Sequence, residues 1–379
     1  MPPVPSLRWW TRRTQARLRL LRRSALAACG ESGQERCGTG IQAPAETQAG
    51  SLCHNFCHGL LGLVAVLSPL LSCSPSARPP ASTGKGFIAI VGAGQDDPLW
   101  PVLRGSALRQ QGFVGEVPLR AVAPPTVSTL AQTQLIDQLY REGMRGLCVQ
   151  VIDPQAIGPY LKGLAQHGVP VVTMVHSVEG QQGLMHCGVD QRLVGEALAD
   201  SIAGALQDKG TIAVVHANSS VPYARERYEA FSARLKRYPR IMVLREFDCG
   251  GNPQRAREMM RGCMRRFPRL NAWVAIDNWP LRGLDLQERL FPTSCRLVTT
   301  DPQPQVWDHL STGTCLAMIG AEYFQVAEQA VIKCAAALER NLDRWPTFLA
   351  PPRPVRASDL HLYKTDWMAW CSRGAPSVP

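Results

Sequence analysis

Residues 147–174 read LCVQVIDPQAIGPYLKGLAQHGVPVVTM. Leu147–Val151 is a short apolar run closed by Asp153-Pro154. Apolar residues then recur at Ile157, Tyr160, Leu161 and Leu164, the i, i+3, i+4, i+7 spacing of one helix face. A second apolar run, Val169–Val175, follows Gly168. The segment therefore predicts strand, helix, strand, and the helix carries the chain back so that both strands run in parallel. Outward from it, Phe87–Val91, Thr211–Val215, Ala272–Ile276 and Arg296–Thr299 read as further short buried strands. Helical stripes lie between them. Ala256, Met259, Met260, Cys263, Met264 and Phe267 form one, and Ala327, Ala330, Val331, Cys334, Ala335 and Leu338 another; both read as core faces. The expectation is an α/β protein with doubly wound parallel sheets, helices on both faces and a ligand site beyond the carboxyl ends of the strands.

The chain has 379 residues, 45% hydrophobic and 19% charged, an ordinary globular balance. Residues 86–379 suffice for two domains of roughly 100–200 residues. The net charge is +11, but residues 1–50 supply +5 of it with eight arginines against three glutamates. No concentrated Lys/Arg run stands in the folded part, so nucleic acid is not an expected partner. Enzyme fingerprints are missing. VGAGQDD lacks the third glycine of a dinucleotide loop, and there is no Walker ending, GxSxG or HExxH. No catalytic residue, metal or cofactor is assigned. None of the eight cysteines from Cys148 to Cys371 has zinc-type CxxC spacing, and those inside apolar patterns read as small buried hydrophobes. The Cys53/His54/Cys57/His58 cluster has ligand-like residue types, but it adjoins an apolar signal stretch and is not taken as a metal site.

That stretch is LLGLVAVLSPLLSC, Leu60 to Cys73. It fits the apolar core of an export signal and is too short for an ordinary membrane span. Leu70-Leu71-Ser72-Cys73 is similar to a bacterial lipobox, in which Cys73 is lipidated and anchors the protein to a membrane. Residues 74–85 then form a tether. No Lys or Arg stands between Arg36 and Arg78, so the usual adjacent basic segment is missing, and residues 1–59 read as a leader from a start assigned too early.

Asp or Asn precedes Pro at Asp97, Asp153, Asn252 and Asp301. At Asp153 and Asn252 the pair reads as a helix cap, because proline fits the first helical turn. Asp97 and Asp301 are assigned to ligand contact, on a family likeness.

From residue 86 to about 363 the chain resembles the type I periplasmic sugar-binding proteins, the ribose/galactose-binding group, whose fold LacI-type regulators share. The segments that carry the resemblance are IAIVGAGQDDPLWPVLRGSALRQQG, residues 147–174, YARERYEAF, WVAIDNWPLRGL and RLVTTDPQP, in that order. The resemblance implies two lobes joined by three crossing segments. One holds 86–190 and 322–348, the other 191–321 and 349–379, with the ligand between them and hinge closure around it. It also implies site residues. Asp97 falls at a polar contact, Leu99 and Trp100 where the family places stacking aromatics, and Gln150 at an amide contact. Arg225 falls at the arginine that grips ring oxygen and hydroxyls, and Asp277 and Asp301 at hydroxyl acceptors. This set suits a polyol, since carboxylates accept from hydroxyls, arginine donates in a planar fork and an aromatic face packs on C–H groups.

Several positions depart from the family pattern. The Asp-Arg after the third strand is Val175-His176, the glutamine near the second crossover is Ala321 beside Glu322, and the Asn-Asp pair is inverted to Asp277-Asn278. Ribose is disfavoured in consequence. His176 is carried as a ligand contact, and Trp279 and Trp307 as further cleft candidates. The expected role is an exported, monomeric solute-binding protein in the periplasm or cell envelope that delivers a sugar or polyol to an ABC permease. The alternatives are a sensor partnering a membrane receptor and a ligand-responsive DNA-binding regulator. The second would need a helix-turn-helix ahead of residue 86, where Pro-rich, Cys-rich and signal-like stretches stand instead.

Overall fold

The structure, a computed structural model, describes residues 86–180, 183–218, 221–340 and 346–372. The Leu60–Cys73 signal, the tether and the Cys53/His54/Cys57/His58 cluster lie outside these residues. The described chain builds two six-stranded sheets. The first contains β1 (Phe87–Val91), β2 (Leu119–Val122), β3 (Met144–Gln150), β4 (Val171–Val175), β5 (Leu184–Val189) and β11 (Phe348–Ala350), in the order β11-β5-β4-β3-β1-β2. All its pairs are parallel. The second contains β6 (Gly210–His216), β7 (Ile241–Asp248), β8 (Ala272–Ala275), β9 (Arg296–Thr300), β10 (Ala317–Ala321) and β12 (Pro352–Arg356), in the order β12-β10-β9-β8-β6-β7. Only β10 and β12 pair antiparallel.

Every residue of β1, β4, β5, β8 and β10 is buried. Helices cover both faces of a parallel sheet, so such strands read as unbroken apolar runs. The helices are α1 (Trp100–Leu108), α2 (Thr129–Arg141), α3 (Pro154–Gln166), α4 (Gln191–Leu206), α5 (Pro222–Leu235), α6 (Pro253–Arg266), α7 (Asp308–Ser311), α8 (Tyr323–Arg340) and α9 (Leu360–Cys371). The buried face of α3 includes Ile157, Tyr160, Leu161 and Leu164. Asp153 caps it by accepting from the Gln155 and Ala156 N–H groups at 3.0 and 3.1 Å. Asn252 caps α6 by accepting from Arg255 N–H at 2.9 Å.

Strands β2, β5, β7, β10, β11 and β12 escape the sequence pattern. β2 and β7 are sheet edges with exposed residues. β5 interrupts its apolar run with His186 and Gly188, and β10 (AMIGA) is largely small residues.

The chain passes between the sheets three times, at 189–191, 321–323 and 350–352. The last crossing corrects a boundary. Residues 349–350 belong to β11, which pairs wholly with β5 of the first sheet, whereas the sequence division at 348/349 cuts that strand. Helix α9 touches both lobes. Gly105 of α1 lets it approach, because a Cβ there would fall 2.5 Å from the Trp370 and Cys371 carbonyl oxygens. On the second-lobe side, Asp366 pairs with Arg353 at 2.7 Å, and Trp307 meets Tyr363 and Trp367 edge-on.

All eight cysteines among the described residues are free thiols, seven of them buried. Burial pushes Cys187, Cys295 and Cys315 up to about 12, which leaves them protonated and inert as nucleophiles.

Candidate functional site

A cavity of about 390 Å³ lies between the lobes, beyond the carboxyl ends of both sheets. In the first sheet, strand order reverses between β1 and β3, and in the second between β6 and β8. Loops diverge at such points and leave a crevice. The first lobe contributes Asp97 and Leu99 from the loop after β1, Gln150 from the end of β3, and Val175 and His176 from the end of β4. The second contributes Tyr223 and Arg227 from α5, Asp277 and Arg282 from the segment after β8, and Asp301 after β9. Gln191 and Tyr323 enter from two of the crossings.

The first-lobe wall is held by neutral donors. Gln150 Nε2 donates to Asp97 Oδ2 at 2.7 Å, and Gln150 Oε1 accepts from Ala93 N–H at 3.0 Å. Asp97 Oδ1 accepts from Leu99 N–H at 2.7 Å. Burial raises the Asp97 carboxyl above its ordinary range, and these donors only partly oppose it. Val175 adopts φ +71°, a strained conformation for a β-branched residue. Around it, His176 N–H donates to the Met174 carbonyl at 2.9 Å, closing a three-residue turn. The turn delivers the His176 ring across the cleft, where it stacks on Tyr223 with centroids 4.8 Å apart and planes 14° apart. Burial, then the nearby Arg227 charge, lowers His176 to about 4, so the ring is neutral at pH 7.

The second-lobe wall is a charged network. Arg227 Nη1 meets Asp301 Oδ2 at 2.8 Å and Thr300 Oγ1 at 2.7 Å, and Nε donates to Gln191 Oε1 at 2.5 Å. Tyr323 O–H donates to Asp301 Oδ1 at 2.5 Å. Burial alone would raise Asp301, but Arg227 and these hydroxyl donors hold it below the usual carboxylate range. Tyr223 O–H donates to Asp277 Oδ2 at 2.8 Å, Asn278 N–H donates to Asp277 Oδ1 at 2.6 Å, and Arg282 Nη2 lies 3.3 Å from that oxygen. Burial and then the Asp301 charge push Asp277 up. Asp301 sits at φ +54°, which turns its carboxylate back onto Arg227. Gly195 sets the position of α5, since a Cβ there would collide with the Arg227 carbonyl oxygen. Its absence lets α4 and α5 cross closely and brings Arg227 beside Gln191.

Of the residues singled out in the sequence, Asp97, Leu99, Gln150, His176, Asp277 and Asp301 line one cavity. Arg225 and Trp100 do not. Arg225 is exposed, and its Nε and Nη2 donate to the Asn218 carbonyl at 3.1 and 2.9 Å. Two helical residues span about 200°, so in YARERYEAF one arginine faces out when the other faces in, and the inward one is Arg227. Trp100 is only 6% exposed and packs in the first-lobe core against Gly92. Trp279 is buried beside Gly251, and Trp307 Nε1 donates to the Pro302 carbonyl at 2.8 Å, so neither lines the cavity. Sequence reasoning missed Arg227, Tyr223, Arg282, Gln191 and Tyr323. For Arg227 the signal was the helix phase, with Ala224, Arg227, Phe231 and Leu235 on the buried face.

A family model described as "Periplasmic binding protein domain" matches residues 88–341. No curated protein matches. Among solved structures, the chain is similar to a periplasmic ribose ABC transporter protein from Conexibacter woesei, with 18% identity and a TM-score of 0.65 over 77% of this chain and 99% of that one. It is similar to an arabinose-binding protein from Geobacillus stearothermophilus at 14% identity and TM-score 0.63, over 73% and 99%. It is also similar to an ABC transporter solute-binding protein from Bacillus halodurans with bound myo-inositol, at 13% identity and TM-score 0.62, over 76% and 99%. At these identities the likeness is one of fold.

Proposed function

The chain belongs to the periplasmic binding protein domain family, and from that premise we propose that it is an exported solute-binding protein that captures a sugar or polyol between its lobes and delivers it to an ABC importer. The observation that carries this reading is the convergence of polar groups from both lobes on one small cavity. Its volume is within the small-molecule range of about 300–1,000 Å³. Asp97 and Asp277 accept from ligand hydroxyls, Arg227 donates to ring or hydroxyl oxygens, and the stacked His176–Tyr223 pair lines the cavity with aromatic carbon. A ligand that touches both lobes favours the closed arrangement, because only differential affinity shifts that equilibrium. The arabinose and myo-inositol named for two fold neighbours support the polyol class. A free amino acid fits less well. Its carboxylate needs a cation, and both guanidinium groups of the cavity already face carboxylates, Arg227 that of Asp301 and Arg282 that of Asp277.

Lipidation of Cys73 anchors the protein, as a monomer, to a cell-envelope membrane in this reading. Cys73→Ala then moves it into the soluble fraction, and continued membrane attachment counts against the anchor. The functional reading is tested by a thermal-shift screen of the protein against sugars, polyols, amino acids and nucleosides. Binding at a hundredfold excess over Kd stabilises the fold by about 2.7 kcal/mol. A rise confined to sugars or polyols is expected; a rise confined to amino acids or nucleosides, or none, overturns the reading.

A further inference from the structure

Charge inside the cavity does not balance. Among the described lining residues, four are carboxylates (Asp96, Asp97, Asp277 and Asp301) and two are guanidinium groups (Arg227 and Arg282). Two pairs cancel. Arg227 meets Asp301 at 2.8 Å, and Arg282 meets Asp277 at 3.3 Å. That leaves the adjacent Asp96 and Asp97. Asp96 is exposed and accepts from Val127 N–H at 3.1 Å; bulk water and salt screen its charge. Asp97 is half-buried at the cavity wall, where screening is weaker.

The partners of Asp97 are both neutral. They are Leu99 N–H and Gln150 Nε2, each at 2.7 Å, and among the described residues no cation forms an ion pair with it. These donors orient the carboxylate without offsetting its charge, Arg282, already paired with Asp277, acts on it only as the weakest of several influences, and each oxygen keeps acceptor capacity for a ligand. His176 is the residue of the same wall that could carry a positive charge, and burial keeps it neutral. A neutral hydroxyl would satisfy Asp97 geometrically. An ammonium would add the attraction of opposite charges to the hydrogen bond and would restore neutrality.

Resting on the polyol reading of this cavity, we propose that the ligand is an aminated polyol of the amino-sugar class, with its ammonium on Asp97 and its hydroxyls toward Arg227 and Asp277. The two walls then divide the work. The second lobe, whose charges are internally paired, recognises hydroxyls and ring oxygen, and the first lobe selects for positive charge. Anionic sugars are excluded by the same imbalance.

The test is calorimetric titration of the full chain with matched pairs. Hexoses, pentoses, linear polyols and inositols are each compared with their amino-deoxy and N-acetylamino forms. The expected result is that an amine binds at least tenfold tighter than its neutral parent. Its N-acetyl form, which keeps nitrogen but loses charge, should show no such gain. Asp97→Asn, which removes the charge at nearly the same size but leaves one acceptor where the carboxylate has two, should collapse the amine-to-parent ratio toward one. Neutral parents that bind as tightly as their amines overturn the inference while leaving the polyol reading intact. A flat response to every pair overturns both. An amine preference that survives Asp97→Asn removes Asp97 from the role.

Discussion

The two walls of the cleft solve the same problem differently. On the second-lobe side, Arg227, Asp301, Gln191, Thr300 and Tyr323 form a buried network in which each charge has a partner before any ligand arrives. On the first-lobe side, Asp97, Gln150 and His176 are held by neutral hydrogen bonds and ring stacking. A buried charge needs its counter-charge in place to avoid a large desolvation cost, so the second wall must be built rigid. The first can remain receptive. The contrast also has a mechanical side. Gln191 and Tyr323 stand at two of the three crossings and both bond the Arg227–Asp301 pair, so the floor of the site is tied to the segments about which the lobes would turn.

The largest expected break in this comparison is Arg227→Ala. It strands Asp301 without its cation and should destabilise the protein by about 3–5 kcal/mol in urea titration, in addition to removing ligand binding. A loss below about 1 kcal/mol would mean that the network does not hold the second lobe.

Acid should strain the first lobe through its neutral imidazoles. His186, 6% exposed and bonded to Thr173 Oγ1 at 2.9 Å, is lowered by burial to about 4. Unfolded, it takes up a proton near pH 6.5; folded, it resists until about 4. Its contribution is therefore full above pH 6.5 and lost as pH falls toward 4, about 3 kcal/mol in all. Raised carboxylates such as Asp97 and Asp277 act in the opposite sense, so the informative quantity is a difference. Wild type should lose stability between pH 6.5 and 4.5 more steeply than His186→Gln. Parallel profiles would contradict a neutral buried imidazole.

Tyr323→Phe removes one donor from Asp301 and should cost about 1.5–3 kcal/mol, the range for a hydrogen bond to a charged group. The smallest effect belongs to Arg225→Ala, expected within about 0.5 kcal/mol of wild type and without effect on ligand affinity, because the side chain points outward to the Asn218 carbonyl.

The last pair shows where sequence reading succeeds and where it stops. The alternation of buried strands with helical stripes is imposed by solvent exclusion on every residue of an element, so β1, β3, β4, β6, β8, β9 and helices α3, α6 and α8 are legible. Edge strands β2 and β7 lack that constraint on one side. Motif matching located the arginine-bearing helix but picked Arg225, where helix phase picks Arg227. Trp100 falls at a stacking position on the family resemblance, yet Gly92 opens room for its ring in the core. Gln191 and Tyr323 carry no local signal, since their role comes from where the crossings bring the two lobes together.

The most direct test of the account is titration of whichever ligand stabilises the wild type into Arg227→Lys and Arg225→Lys. Lysine keeps the buried charge at 227 but loses the planar fork that meets several acceptors at once. At least a tenfold loss of affinity is expected at 227 and none at 225. Equal affinities, or a loss at 225 alone, would contradict the assignment of the interlobe cavity as the ligand site.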